Sequence, residues 1–176
     1  WWHHDGDTVG TYYIAEGGVA VSDAPAGPFK YLGTYRLPNK HWSVRNQGML
    51  RDMNLFVDTD KTCYLVYSSE NNKTTIIMAL DETYTKPAVN ENGQTLKGRH
   101  WVRAHSKYRE APAVFEQDGV YYMVTSGCTS WSPNQAKYYT ANSMLGKWTP
   151  KGDPCIDDVK KTTFDSQSTY ILPKRD

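Results

Sequence analysis

An internal repeat constrains this chain more than any other feature. Arg109-Glu110-Ala111-Pro112-Ala113-Val114-Phe115 places one carboxylate just ahead of a short apolar β-type run, which ends at the turn Gln117-Asp118-Gly119. Arg51-Asp52-Met53-Asn54-Leu55-Phe56-Val57 has the same design. Sliding one over the other at an offset of 58 (110 − 52), without gaps, matches Asp52 to Glu110, Phe56 to Val114 and Val57 to Phe115. The match runs on through Asp60 and Asp118, Tyr64 and Tyr122, Leu65 and Met123, Val66 and Val124, Ser68 and Ser126. A period near ~40 to 50 residues, longer where loops are inserted, is the mark of propeller blades.

The rest of the chain fits that reading. From Val9 onward short β-rich runs alternate with turn chemistry, and no window of a dozen residues carries a 3.6-residue period, so helix should be scarce. Tyr12-Tyr13-Ile14, Gly18 to Ser22 and Phe29 to Leu32 read as strands, the last following the turn cluster Ser22 to Pro28. A similar ending returns at Tyr139 to Trp148, where Gly146 matches Gly27 and Trp148 matches Phe29. Between these endings lie two meanders, Leu55 to Val57, Cys63 to Ser68 and Thr75 to Ala79, then Ala113 to Phe115, Val120 to Thr125 and Lys137 to Thr140. Four antiparallel strands per unit make a propeller blade. Pro87 to His100, rich in Gly, Asn and Lys, reads as a solvated excursion.

Trp1-Trp2-His3-His4 aligns in kind with the end of a second strand, and Thr163 to Leu172 reads as the inner strand of a further blade. The expectation is therefore an all-β β-propeller domain over residues 1–176, about three blades' worth with incomplete first and last blades, and a piece of a larger propeller.

Composition bounds the partners. Lys plus Arg number 20 against 19 Asp plus Glu, and a net charge of +1 gives no electrostatic reason to expect nucleic acid or an anionic membrane. Six Trp and 13 Tyr suit both a β-rich core and the flat apolar faces of sugars, and both uses stay open. The three cysteines, Cys63, Cys128 and Cys155, lack CxxC spacing, so no zinc site is indicated, although one pair could form a disulfide. The first residues do not read as a signal peptide, no apolar run approaches ~18 residues, and oligomeric state is not legible.

In a propeller the innermost strands line the axial channel, so residues at their heads converge although far apart in sequence. Asp52, Glu110 and Gln167 occupy that place in three successive units. Two carboxyls and an amide facing one pocket meet the needs of glycoside hydrolysis: a protonated acid, a group that positions water, and a charge that tunes the acid. A nearby second carboxylate favours the protonated form by like-charge repulsion, while Arg51 and Arg109 act in the opposite sense. The alternative is that each acid simply pairs with its neighbouring arginine at a strand end.

Four motifs in order, Arg51 to Asp58, Arg109 to Phe115, Ser126 to Asn134 and Phe164 to Ser168, resemble glycoside hydrolase family 43, most closely its exo-β-1,3-galactanase (galactan 1,3-β-galactosidase) branch. The resemblance covers nearly the whole chain. It implies a five-bladed propeller that acts by inversion from the non-reducing end, extracellular or periplasmic, on arabinogalactan-like polysaccharide. By the same resemblance Glu110 is the general acid, Asp52 orients that acid or holds the terminal sugar, and Gln167 stands in for a base. The family domain is longer, and the part that usually supplies an aspartate base precedes Trp1, so the isolated residues are expected to be inactive. Rival expectations are an α-L-arabinofuranosidase or β-xylosidase on the same scaffold, and a noncatalytic carbohydrate-binding propeller.

Thr129 and Trp131 lie in a loop where hydroxyl and indole could meet a sugar, or where the loop packs on itself. Asn71, Asn72, Tyr13 and His3 are further candidates for substrate contact. His3-His4 lacks metal-ligand company, so no metal is expected, and the mechanism implies no organic cofactor. Asn72-Lys73-Thr74 fits the N-glycosylation triplet.

Overall fold

The structure, a computed structural model, describes residues 1–5, 14–36 and 48–172. Among them every regular element is a strand, and the strands form three antiparallel sheets in chain order. The first joins β1 (Trp2–His4), β2 (Glu16–Val21) and β3 (Lys30–Tyr35). The second joins β4 (Met53–Val57), β5 (Cys63–Ser69), β6 (Thr74–Ala79) and β7 (Trp101–His105). The third joins β8 (Arg109–Gln117), β9 (Val120–Gly127), β10 (Lys137–Ala141) and β11 (Thr149–Gly152). Each strand pairs with the next, which is the meander of a propeller blade, and β4 and β8 are the inner strands.

Side-chain alternation explains how the sheets stack. Cys63, Leu65 and Tyr67 of β5, with Ile76 and Met78 of β6, point to one face and pack with Leu50 and Trp1 on the side of the first sheet. Val66 and Ile77 point to the other face and meet Val114, Met123, Tyr139 and Trp148 of the third blade. The second sheet is thus covered on both sides, and all of β6 is buried. Burying one such aliphatic side chain contributes roughly 1.5–3 kcal/mol, so these two layers hold the blades together.

Hairpin turns follow local chemistry. Gln117 pairs with Val120, leaving Asp118 and Gly119 as a two-residue loop with φ of 53° and 77°. Both central residues of such a turn need positive φ, which Asp-Gly supplies. Between β5 and β6, Asn71 and Asn72 take φ of 57° and 64°, and the Lys73 N–H donates to the Glu70 carbonyl at 3.3 Å.

The repeat is real but not gapless. Asp52 and Ser68 are joined through Asp52 O, which accepts the Ser68 N–H at 2.9 Å, and Glu110 faces Ser126 at the equivalent place. Beyond that point the register shifts: Ala113, not Pro112, faces Val124, so β8 holds one more residue than the facing stretch of β9. This is a β-bulge at Ala111-Pro112, with Ala111 at φ 49°. After it, Phe56 corresponds to Phe115, since each faces a tyrosine, Tyr64 and Tyr122. The gapless matches of Phe56 to Val114 and Val57 to Phe115 are therefore off by one.

Other expectations need correction. Thr163 to Leu172 is not an inner strand: 163–165 is a turn, and 166–172 forms no ladder among the described residues. Its anchors are side-chain bonds instead, because Asn54 Nδ2 donates to Thr169 O at 2.5 Å and Ser168 Oγ to Ala111 O at 3.1 Å. The outer strand β7, which follows the exposed 87–99 excursion, was not placed by the sequence reading. Gly27 and Gly146 both precede outer strands, but Trp148 is buried while Phe29 is exposed. Tyr12 and Tyr13 lie outside the described residues. All three cysteines are free thiols.

Candidate active site

Glu110 is the group on which the other elements converge. Asn72, from the β5–β6 turn of the second blade, donates Nδ2–H to Glu110 Oε2 at 3.0 Å. Gln167, from the segment after the third blade, donates Nε2–H to Glu110 Oε1 at 3.3 Å. Each carboxylate oxygen therefore has one amide donor from a different part of the fold. Asn72 is half-buried and Gln167 exposed, so the carboxyl stays within reach of solvent.

The bulge behind Glu110 sets its direction. Left-handed Ala111 leaves the ladder, and its N–H donates to Asp52 Oδ2 at 3.0 Å, while its carbonyl accepts from Ser168. Bulges commonly re-aim a side chain beside an active site. Asp52 thus reaches the third blade through the backbone next to Glu110.

Neither arginine pairs with either acid. Arg51 Nη1 donates to Asn71 Oδ1 at 2.5 Å. Arg109 is buried on the opposite face from Glu110, donating Nε–H to Thr125 Oγ1 at 3.0 Å and Nη2–H to the carbonyls of Thr125 and Gln135 at 2.7 and 3.1 Å. Burial lowers its affinity for the proton, and the nearby Tyr139, Cys128 and Glu110 only partly offset that. The simple explanation of the two acids, a local arginine pair, is therefore not what the structure contains.

The loop 127–134 stands beside this cluster. Asn134 binds Gly127 as a backbone would, accepting its N–H at 2.6 Å and donating to its carbonyl at 3.1 Å, and it also donates to Thr129 Oγ1 at 2.8 Å. Thr129 Oγ1 in turn donates to Ser132 O at 2.5 Å, so Thr129 holds the loop closed. Trp131 is fully exposed and, with Ser126, Asn134, Asp165 and Gln167, lines a cleft of about 150 Å³. A larger cavity of about 640 Å³ runs along the inner strands between Leu55, Val57, Val114 and Tyr170, but it is mainly apolar and contains none of Asp52, Glu110 and Gln167. The smaller cleft adjoins the candidate site through Gln167, which lines it and donates to Glu110, while Glu110 and Asp52 themselves are not among its lining residues.

Cys128 follows β9, two residues beyond Ser126 and on the same face as Glu110. Burial and then the Glu110 carboxylate push its thiol up to about 11. His3 stands 3.0 Å from Asp5. Tyr13 lies outside the described residues. Asn71 bonds Arg51 and Asn72 bonds Glu110, so these two neighbours have separate tasks. Among the described residues no cluster of His, Cys, Asp and Glu could hold a metal ion.

Sequence reasoning passed over Ser168 and Asn134 as functional groups and weighed Arg51 only as a charge beside Asp52. Ser168 and Asn134 stand within the quoted motifs, and the paired asparagines at a hairpin tip signal a positive-φ turn.

Comparison with known proteins bears on this geometry. The sequence matches the profile of Glycosyl hydrolases family 43 over residues 4–168. The structure superposes on a family 43 beta-1,3-galactosidase solved with galactodeoxynojirimycin, at 35% identity and a TM-score of 0.78, covering 93% of this chain and 56% of that one. A second beta-1,3-galactosidase of that family gives 33% identity and a TM-score of 0.76, over 92% of this chain and 30% of that one. An exo-beta-1,3-galactanase from Clostridium thermocellum gives 32% and 0.75, over 93% and 33%. The chain thus spans from under a third to a little over half of these proteins. No curated protein matches.

Proposed function

Because the chain belongs to the family 43 glycosyl hydrolases, we propose that it forms part of a glycosidase that releases galactose from the ends of β-1,3-galactan chains, with Glu110 as the general acid. The observation that carries this reading is the convergence of Asn72 and Gln167 on the two oxygens of Glu110, with a bulge directly behind it. The choice of sugar rests on what the similar proteins are described as cleaving.

On this reading Glu110 protonates the glycosidic oxygen as the bond to the anomeric carbon breaks, so the leaving sugar departs as a neutral alcohol. Water attacks the anomeric carbon from the opposite face, which inverts its configuration. Asp52 fixes the Ala111 bulge and hence the direction of the acid. Trp131 offers an exposed aromatic face to an apolar sugar face. For Gln167 we propose a different role from the water-activating one that the family resemblance implies. Inverting enzymes hold the acid and the water-activating group roughly 6.5–9.5 Å apart, whereas Gln167 Nε2 is 3.3 Å from Glu110. We therefore read Gln167 as a donor that holds the acid.

The test is Glu110→Gln in the full-length protein, assayed on β-1,3-galactobiose. Turnover should fall by about 10²- to 10⁴-fold while galactobiose still binds. Unchanged turnover would remove Glu110 from the chemistry, and hydrolysis of aryl arabinofuranosides without galactobiose cleavage would replace the substrate.

A further inference from the structure

The mechanism above leaves Arg51 without a task. It stands beside Asp52 in sequence, yet its guanidinium does not turn to that carboxylate. It reaches the β5–β6 turn, where Nη1 donates to Asn71 Oδ1 at 2.5 Å. Its backbone is fixed as well, since the Arg51 N–H donates to Ser68 O at 2.9 Å. The base of this arm is thus part of the second blade.

The turn it grips is closed at its base by the Ser69–Thr74 pair and held from outside by the Tyr108 N–H on Lys73 O at 3.2 Å, while Arg51 holds its tip at Asn71. Glu70, Asn71 and Asn72 are successive residues at positive φ, and Asn71 is exposed. Left-handed backbone is a sparsely populated conformation that persists where the surroundings over-determine it. Within the turn, the Lys73 bond to Glu70 O is long, at 3.3 Å. Asn72 Oδ1 is buried without a hydrogen-bond partner, so its amide is oriented through Nδ2 and Glu110. A small rotation of the turn would withdraw that amide from Oε2.

We propose that Arg51 is a positioning residue for Glu110: by clamping Asn71 it fixes the turn that presents Asn72 to the acid. This rests on Glu110 being the general acid. Proton transfer to a leaving oxygen depends on reach and alignment, and a misplacement of about 1 Å can cost about 10²-fold in rate.

Leaving-group dependence tests this directly. A disaccharide needs its leaving oxygen protonated, whereas 2,4-dinitrophenolate leaves without help, so a misplaced acid slows the first and spares the second. In the full-length protein, Arg51→Met should lower kcat on β-1,3-galactobiose about tenfold or more, with KM within about twofold. It should leave 2,4-dinitrophenyl β-galactoside hydrolysis within about threefold. Asn71→Ala should give the same split, and the double variant should be no worse than either single, because both remove one bond. Arg51→Lys, which keeps a cationic donor, should recover part of the loss. Glu110→Gln is run in parallel as the reference. If it shows the split and Arg51→Met slows both substrates equally, or neither, the positioning role is overturned while the acid stands. If Glu110→Gln shows no split, the acid falls and the role of Arg51 falls with it. Should Arg51→Met fail to fold, Asn71→Ala carries the same expectation and the same refutation.

Discussion

The carboxylate of Asp52 accepts the backbone N–H of Ala111 at 3.0 Å, joining the head of one inner strand to the bulge in the next. The bond crosses 59 residues of sequence and lands beside Glu110 rather than on it. Asp52→Ala should therefore lower turnover by releasing the bulge. A loss of about 10- to 100-fold in kcat is expected, since misplacement rather than removal of the acid is at stake. Stability should change by less than about 1.5 kcal/mol, because the bond is solvent-exposed. Thermal melts beside steady-state kinetics check both parts.

Ala111 itself offers a backbone test. It sits at φ 49°, where a Cβ is costly and a β-branched side chain more so. Ala111→Gly should leave the melting temperature unchanged or raise it, and Ala111→Val should destabilise by about 1–3 kcal/mol and cut activity. If Val were tolerated as well as Gly, the bulge would not be fixing the strand as described.

Gln167 distinguishes holding the acid from activating water. Sodium azide commonly substitutes for water when a water-activating group is removed. Gln167→Gly should lower kcat, and azide should not restore it, because the lost contact is the 3.3 Å bond to Glu110. Appearance of a galactosyl azide of inverted configuration would return Gln167 to the water.

His105 should make stability depend on pH. Burial first, then Arg109 and Lys107, lower its pKa from the usual 6.5 to about 4. Its ring stacks on Tyr139, with centroids 4.5 Å apart. Between these two values the unfolded chain binds a proton that the folded one refuses, so stability rises with pH there. It should be full above about pH 6.5 and fall progressively as pH drops through about 4. His105→Gln should flatten that part of the melting-temperature profile, and an unaltered profile would contradict the assignment.

Cys128 reports on Glu110 without any turnover. With its thiol pushed up to about 11 by burial and the Glu110 carboxylate, it should alkylate slowly at pH 8 despite its exposure. Glu110→Gln should speed alkylation of Cys128, followed by peptide mass mapping, while Cys63, buried in the core, stays unmodified. Equal rates in the two proteins would separate the thiol from the acid.

The all-β meander was legible because alternating strands and Asp turns are local signals, and the repeated acid heads exposed the blade period. The strand after Glu110 was misaligned by one residue because a bulge is set by the ladder across from it, which one strand's sequence does not display. Thr163 to Leu172 has the composition of a strand, but strand formation needs a backbone partner, and Ser168 and Thr169 are held by side-chain bonds instead. Asp52 and Gln167 stand beside Glu110, an approach that the near-equal spacing of the three positions suggests. Their contacts were not foreseeable: Asp52 to a main-chain N–H, Gln167 to the acid's own oxygen, and both arginines elsewhere.

The Asn72 amide nitrogen that donates to Glu110 is also the atom to which an oligosaccharyltransferase would attach sugar, since Asn72-Lys73-Thr74 satisfies its rule. A glycan installed there during secretion would cap the acid before the blades closed around it. Material from a eukaryotic secretory host and material from a bacterium lacking that machinery would then differ chemically at this turn, the first carrying a carbohydrate on the amide that meets Glu110.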